Sequence, residues 1–533
     1  MIALRNRLLR SIGRPDDPED VTGQARAAVG NFLLQIHSVK VSRNSLTWKS
    51  PYGLGLIALY MFIIHFVSGL ALTFYYVPSV ERAYLSMIEL QSEVTFGAFI
   101  TSLHRWSAHG MIIFLVLHML RVFYTGGYKP PRQLSWIIGV LLLIVTGKLA
   151  FSGYLLPWDQ QALWSVQVAS EVIRSGPIFG EHVQRVVFGG PDIGQATLTR
   201  FYTMHMTVLP LLSLGLIGAY IWSLRQHGGF AAPADEKLNG AQTATSRYQT
   251  GGGLQGEGAF PRNSDKTYAL VGLVRGSSAA AGSGPRGTVM AWPAVFLLEL
   301  AVLAGVVLVM AAISAFAHAP LGPHADPAIP RNPALMPWFL SSIQELTLHM
   351  HPVFGGIMIP TLFVTGLFAI PFIDWDRSGS GEWFGGRRGV IAAFGSALAA
   401  GFIWIVLEWL DLGRNLAFRL KEALDLTKLT GGETPKSWPE SFGFFGLYDL
   451  TEWSSFLWAG LIPFLIVMTL LLVIGAAAKF VFGGNRREVM ISIFTATIVS
   501  IMVLTFIGSA MRGTDMNLYA PWDRPNIIEL DRQ

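Results

Sequence analysis

Long runs of apolar residues recur along this chain, each at the length that a helix needs to cross a lipid bilayer. A membrane-spanning helix requires about 20 consecutive, mostly apolar residues. Nine stretches meet this requirement: 53–76, 98–124, 134–156, 199–224, 289–317, 346–373, 389–411, 453–480 and 487–510. Polar, glycine-rich or proline-rich segments separate them. The pattern therefore predicts an all-α integral membrane protein with about nine spans.

The spacing of the spans predicts two membrane domains joined by a linker. Residues 1–50 are interpreted as an N-terminal cytoplasmic or interfacial segment, and residues 51–227 hold the first four spans as a compact bundle. A Gly/Ala/Ser-rich stretch, 228–286, has the composition of a flexible linker. Three further segments follow, namely a second helical domain (287–411), an outer loop (412–452), and an extra two-span hairpin with the C-terminal tail (453–533).

Charge and composition narrow the class of protein further. Arginine and lysine gather before span one and after span two, so the positive-inside rule places the N-terminus in the cytoplasm. The chain is 52% hydrophobic, and its net charge of +5 gives no reason to expect nucleic-acid binding. It contains no cysteine. Disulfides, iron–sulfur clusters, thiolate metal sites and covalently attached haem are thereby excluded within this chain.

Two histidines on span two, His104 and His118, suggest metal centres at two depths of the membrane. They are fourteen residues apart, which is about 21 Å along a helix, and they point to nearly the same side. His205 begins span four at the depth of His104, so this pair can hold a haem between two imidazoles. Glycines repeat the fourteen-residue spacing on spans one and three, and two arginines flank the outer histidines as candidate propionate partners: Gly55, Gly69, Gly139, Gly153, Arg105 and Arg200.

The chain resembles cytochrome b, the membrane subunit of the bc and bf complexes. The segments HRWSAHGMIIFLVLHMLRVFYTGGYKPPRQLSW, SGYLLPWDQQALW and TLTRFYTMHMTVLPLL carry the resemblance, which extends more loosely through NPALMPWFLSSIQEL. The resemblance implies a four-helix haem b domain followed by a quinol-site domain. It also implies quinol oxidation at the outer face of a bacterial inner membrane. The expected partners are quinol and either or both of a Rieske-type iron–sulfur protein and cytochrome c subunits, in a dimeric complex.

The inner haem site departs from the family pattern. The family places a second histidine on span four, where this chain has Ala219 and Tyr220. Four interpretations remain open. His118 is the sole strong ligand of an inner haem, or the haem is absent and His118 is a packed remnant. Alternatively, His118 and Tyr220 ligate the iron together, or another side chain or subunit supplies the second ligand.

The quinol site departs as well. The family motif Pro-Glu-Trp-Tyr has a glutamate that accepts a quinol proton, whereas this chain has Met-Pro-Trp-Phe around Trp338. A base must still reach the quinol hydroxyl. Glu345 and Glu171 are the candidates, with Trp338 as the third predicted site residue. His109 is interpreted as structural, and His65 as a hydrogen-bonding neighbour of the outer haem.

Two rival functions are also compatible with the sequence. A haem b membrane anchor would relay electrons between a peripheral redox enzyme and the quinone pool, without splitting the two electrons of a quinol. A non-redox transporter would instead need broken helices in paired halves. The histidine and glycine spacing favours a cytochrome over the transporter.

Overall fold

The protein is described from a computed structural model covering residues 40–42, 53–226, 288–374, 380–412, 460–480, 483–516, 518–519 and 521–522. The predicted linker 228–286 and outer loop 412–452 lie almost wholly outside the described residues, as does most of the N-terminal segment 1–50. Their assignments therefore stay predictions.

The first half of the described chain forms seven helices. They are α1 (Leu54–Leu72), α2 (Ala83–Ser92), α3 (Gly97–Tyr124), α4 (Gln133–Leu155), α5 (Gln160–Arg174), α6 (Gly180–Phe188) and α7, which joins Gln195–Thr203, Met204–Val208 and Leu209–Gln226. α1, α3, α4 and α7 are the long apolar members and make the predicted four-helix bundle. α2, α5 and α6 cover one end of it, around a core that includes Leu155, Val166 and Phe188.

The second half contributes six more helices. They are α8 (Phe296–Phe316), α9 (Ser341–His349), α10 (Ile359–Ile373), α11 (Arg387–Leu412), α12 (Ile462–Phe480) and α13 (Arg486–Phe506). Among the described residues, nine helical segments are long and apolar enough to cross a membrane, which confirms the predicted number. Two short strands, β1 (Lys40–Ser42) and β2 (Thr288–Met290), pair antiparallel.

Span six begins later than predicted. The expected start at residue 346 falls inside α9, which ends at His349 before the extended residue Met350. Pro352 follows, and a proline disfavours helical backbone at the residue before it. The spanning helix therefore restarts at Val353, leaving α9 as a separate short helix.

His205 lies in a local irregularity of α7. Residues Met204–Val208 form a π-turn, and Pro210 follows within the next turn. Proline has no N–H, so it cannot donate the hydrogen bond to the carbonyl four residues earlier that a regular helix requires. Single π-turns inside α-helices are frequent at functional sites. The sequence thus accounts for a widened helix at one of the predicted ligands.

Polar and aromatic contacts connect the first half of the described chain, α1 to α7, with the second half, α8 to α13. At the His118 end, Lys129 Nζ lies 3.0 Å from Asp374 Oδ2, and both side chains are buried. Phe123 of α3 stacks on Phe494 of α13 with ring centroids 3.7 Å apart. At the other end, Gln160 Nε2 donates to the carbonyl of Ile329 at 2.6 Å, which holds the α8–α9 loop over the corner between α4 and α5.

Candidate haem and quinol site

The structure brings His104 and His205 together as predicted. Their ring centroids are 6.1 Å apart and the rings are nearly perpendicular, at 84°. His205 is buried, and His104 lies beside it on α3. One ring nitrogen of each lies within 4.8 Å of the other, close to the span of two metal–nitrogen bonds of roughly 2 Å each.

Backbone carbonyls fix which nitrogen each histidine offers. His104 Nδ1 donates to the carbonyl of His65 at 3.0 Å, and His205 Nδ1 donates to the carbonyl of Leu149 at 3.0 Å. A neutral imidazole with its proton on Nδ1 keeps a lone pair on Nε2. Metal-ligating histidines are typically oriented in this way. Both side chains are therefore prepared to ligate through Nε2.

Two of the predicted glycines make room for these imidazoles. A methyl group added at Gly69 would lie 2.9 Å from His104 Cε1, and one added at Gly153 would lie closer still to His205. Close-packed interiors do not tolerate such approaches without displacement of the neighbour. Glycine is thus required at positions 69 and 153, because a side chain there would displace the imidazole that the position faces.

A third histidine joins the outer site. The ring of His65 stacks on that of His104 with centroids 3.8 Å apart at 14°, and its Nδ1 donates to the carbonyl of His104 at 2.9 Å. One ring nitrogen of each of His65, His104 and His205 lies within 4.8 Å of the others. The expectation of a hydrogen-bonding role for His65 agrees with this geometry. The two reciprocal bonds hold α1 and α3 in register beside His205.

The inner pair has a different geometry. His118 Nε2 lies 2.8 Å from Tyr220 Oη, so the two side chains are hydrogen-bonded directly to each other. Gly55 faces His118 closely, because a methyl group added there would lie 2.9 Å from the imidazole ring. A methyl group added at Gly139 would lie 2.8 Å from the sulfur of Met119. The neighbouring cavity, lined in part by Met119, Arg121 and Tyr220, measures only about 20 Å³.

A large cavity opens at the outer histidines. It measures about 660 Å³ and reaches from His104 and His205 to the α4–α5 corner and the α8–α9 loop. Its polar and aromatic lining includes Arg105, His109, Tyr154, Asp159, Gln161, Arg331 and Phe339. Volumes of this size are typical of small-molecule and cofactor sites.

Comparison with known proteins identifies the fold and its family. The family model described as cytochrome b/b6/petB matches residues 38–228. A cytochrome b6 from Picosynechococcus sp. is 45% identical over 177 residues, covering 33% of this chain and 80% of that protein. A cytochrome b6 from Prochlorococcus marinus is 44% identical, with 33% and 81% covered. The chain belongs to the cytochrome b/b6 family. This settles the choice between a cytochrome and a transporter, and it makes the chain a multi-pass membrane cytochrome b.

A solved structure shares the fold of this cytochrome b over more than half of the chain. A solved chain titled hyperthermophilic respiratory Complex III superposes with a TM-score of 0.53, covering 69% of this chain and 86% of that one, at 24% sequence identity. The family binds haem b. At that level of identity the superposition shows a shared fold, and the chemistry must be argued from the residues of this chain.

The outer site of the cytochrome b fits a haem, whereas the inner pair does not. One ring nitrogen of His104 and one of His205 lie within 4.8 Å of each other, beside a large cavity. His118 and Tyr220 are 2.8 Å apart, although an iron between them would need about 4 Å, twice a metal–ligand bond of roughly 2 Å. The direct bond and the small neighbouring cavity agree with His118 as a packed remnant.

The two arginines flanking the outer histidines of the cytochrome b occupy different places. Arg105 borders the large cavity and donates to the carbonyl of Pro320 at 3.0 Å. Arg200 instead donates to the carbonyl of Val186 and lies outside the cavity lining. Arg105 is thus placed to meet a propionate or another anionic group in the cavity, and Arg200 is placed to hold α6 against α7.

Neither predicted proton acceptor of the cytochrome b borders the cavity. Glu171 is half-exposed and ion-paired with Arg174 at 2.6 Å. Glu345 is fully buried in contact with Arg512 and His349. Burial would raise the pKa of Glu345, but the hydrogen bond from His349 and the charge of Arg512 hold it below its usual value. The structure therefore does not bring either carboxylate to a quinol.

Trp338 lies behind His109, the histidine that the sequence interprets as structural. Its Nε1 donates to His109 Nδ1 at 2.9 Å, and His109, not Trp338, borders the cavity. His109 follows His104 by five positions, so on a helix it points about 140° away, which explains the structural interpretation. Trp338 and His109 are 229 positions apart, so no local pattern in the sequence indicates that they contact each other.

Proposed function

We propose that this chain is the cytochrome b subunit of a quinol-oxidising membrane complex that carries one haem b. The observation that carries the proposal is the cavity of about 660 Å³, which joins the ligand pair His104 and His205 to the α4–α5 corner and the α8–α9 loop. A small aromatic substrate bound in this cavity would contact the residues that would hold the haem. When bound, a haem b supplies one-electron redox chemistry at this end of the bundle.

The residues of the chain perform binding and orientation. His104 and His205 would hold the metal, and the carbonyls of His65 and Leu149 keep their Nε2 atoms unprotonated. The α8–α9 loop is held over the cavity by Gln160, whose Nε2 donates to the carbonyl of Ile329 and whose Oε1 accepts from the backbone N–H of Asp326. Quinol oxidation breaks two O–H bonds and releases two electrons and two protons. We infer that the protons leave on the outer side, which is also the side of the cavity.

The electron acceptors and the setting follow from family membership and loop charge. We infer a Rieske-type iron–sulfur protein and a cytochrome c subunit as partners, because this chain contains no cysteine and no soluble electron carrier. The complex is proposed to be dimeric and to lie in a bacterial inner membrane with its N-terminus in the cytoplasm. The basic residues before α1 support that orientation.

A second function is favoured by the closed inner pair. His104 and His118 are about 21 Å apart along α3, and the direct bond between His118 and Tyr220 supports a chain without a second haem. Without that relay, electrons from quinol leave on one side of the membrane only. A haem b anchor passes electrons to a peripheral redox enzyme without splitting the two electrons of the quinol, and it would not need a second haem.

Haem content tests the proposal. A pyridine haemochrome assay on the purified complex is expected to give one haem b per chain, and Tyr220→Phe is expected to leave that value unchanged. Two low-spin bis-histidine haems per chain would overturn the one-haem assignment. Loss of haem in Tyr220→Phe would indicate that the phenol is a ligand. Sensitivity of turnover to outer-site quinol inhibitors, and its dependence on the iron–sulfur partner, separates the complex subunit from the anchor.

A further inference from the structure

His109 and Trp338 join the two halves of the protein at the edge of the large cavity. Trp338 Nε1 donates to His109 Nδ1 at 2.9 Å, and the ring centroids are 6.0 Å apart. His109 lies on α3, and Trp338 begins the turn before α9. His109 and Phe339 border the cavity, while Trp338 does not. Trp338 therefore supports His109 from behind.

The bond fixes the tautomer of His109. An indole N–H can only donate, so the bonded Nδ1 must carry a lone pair. A neutral imidazole then has its proton on Nε2. No described residue accepts a hydrogen bond from that atom, and His109 is only partly buried. One N–H donor is thus left for whatever fills the cavity.

We propose that His109 donates its Nε2–H to one oxygen of the quinol head group, and that Trp338 is the positioning residue for this bond. The proposal rests on the proposed function, since it names a substrate contact in that same cavity. Both oxidation states of the substrate present an oxygen that accepts a hydrogen bond, either a phenolic hydroxyl or a carbonyl. The other polar lining groups, including Gln161 and Tyr154, are then available for the second oxygen.

The donor becomes more effective during the reaction. When the quinol O–H bond breaks, its electron pair stays on the oxygen and the proton leaves to water. A hydrogen bond to an oxygen with developing negative charge is stronger than one to a neutral oxygen. His109 keeps its own proton, because its other nitrogen is already occupied by Trp338. It is therefore a donor in this geometry and not the base.

The test compares variants in membranes containing the intact complex. Short-chain ubiquinol and short-chain menaquinol serve as probes, and haem b reduction is followed optically. His109→Phe is expected to raise KM and to lower kcat/KM about tenfold to a hundredfold, the range for loss of a hydrogen bond to a charged group. His109→Gln retains an N–H donor and is expected to recover most of the loss. His182→Phe, at an exposed position on α6, is the matched control and is expected to behave as wild type.

A spectroscopic measurement separates positioning from structure. Isotope-edited infrared difference spectra of ¹³C-labelled quinone are expected to show a hydrogen-bonded carbonyl in the wild type that His109→Phe abolishes. Trp338→Phe frees Nδ1 and allows both tautomers, so the carbonyl band is expected to split in two.

Each outcome decides a separate claim. If His109→Phe keeps full haem content with wild-type KM and carbonyl frequency, the inference is overturned. If His109→Phe does not assemble, an unchanged carbonyl band in Trp338→Phe overturns it instead. If the wild type reduces haem b with neither quinol, the proposed function fails, and this inference fails with it.

Discussion

Removal of Arg512 is expected to destabilise the protein strongly, because it would unbalance a buried group of four charges. His349 Nε2 lies 2.9 Å from Glu408 Oε1 and 3.3 Å from Glu345 Oε1. Arg512 Nε donates to Glu345 Oε1 at 2.9 Å, and its Nη2 lies 3.4 Å from Glu408 Oε2. Each of the four residues is between 0% and 6% exposed. Two carboxylates, a guanidinium and an imidazolium sum to zero.

Arg512→Met leaves two carboxylates facing one imidazolium. Breaking a buried ion pair from one side costs about 3–5 kcal/mol, because the remaining charge is desolvated without compensation. Glu345→Gln in the same chain restores neutrality between His349 and Glu408. The double variant is therefore expected to be more stable than Arg512→Met alone, and the double-mutant cycle is expected to give a coupling energy of about 1–3 kcal/mol.

The assay is unfolding of the purified complex by sodium dodecyl sulfate titration, monitored by tryptophan fluorescence and haem absorbance. An exposed pair provides the matched control: Arg185 Nη2 lies 3.0 Å from Glu181 Oε1, with 59% and 62% of the two side chains exposed. Arg185→Met is expected to cost less than about 1 kcal/mol. Additive effects of Arg512→Met and Glu345→Gln, with no coupling, would refute the charge-balance argument.

Three further results are expected. Burial alone would lower the pKa of His349, but Glu408 and Glu345 raise it to about 10, above the unfolded value of 6.5. The protonated imidazole therefore stabilises the folded state fully below pH 6.5, and this stabilisation is lost as pH rises through about 10. Unfolding titrations at a series of pH values measure the loss. Gly69→Val is expected to abolish most haem binding by displacing the outer imidazole, whereas Gly55→Val is expected to leave haem content unchanged in a pyridine haemochrome assay. Lys129→Met is expected to lower the free energy of unfolding by about 3–5 kcal/mol, because the buried carboxylate of Asp374 loses its counter-charge. The Lys129→Met/Asp374→Asn double variant is expected to recover stability in the same unfolding assay.

The spans were predictable because the bilayer imposes a simple requirement. Every backbone polar group in lipid must be bonded within its own segment, so length and apolar composition suffice to find the helices. The start of span six was wrong by seven residues, since hydropathy does not register the break that Pro352 imposes after His349. The β1–β2 pair was missed because three-residue strands far apart in sequence leave no periodic pattern.

The candidate site was predictable only where helix geometry determines it. Helix geometry predicted that His104 and His205 lie at one depth on parallel helices, and the structure places their rings beside each other. The partners of Glu345 depend on tertiary packing, and its closest one, Arg512, is 167 residues away. A glutamate eight positions after Pro337 was therefore a reasonable base by spacing, yet it faces a buried counter-charge instead of the cavity.

The two ends of the four-helix bundle share the fourteen-residue spacing of histidines and glycines, but their histidines have different partners. At each end a glycine on α1 faces a histidine on α3, so the backbone alone does not distinguish a haem site from a packed pair. The difference lies in the partner on α7. His205 donates from Nδ1 to the carbonyl of Leu149 and so keeps a lone pair on Nε2, whereas the hydroxyl of Tyr220 is hydrogen-bonded directly to His118 Nε2. A phenol in that position thus bonds an inner histidine without a cofactor, which supports the proposal of a single haem at the outer end.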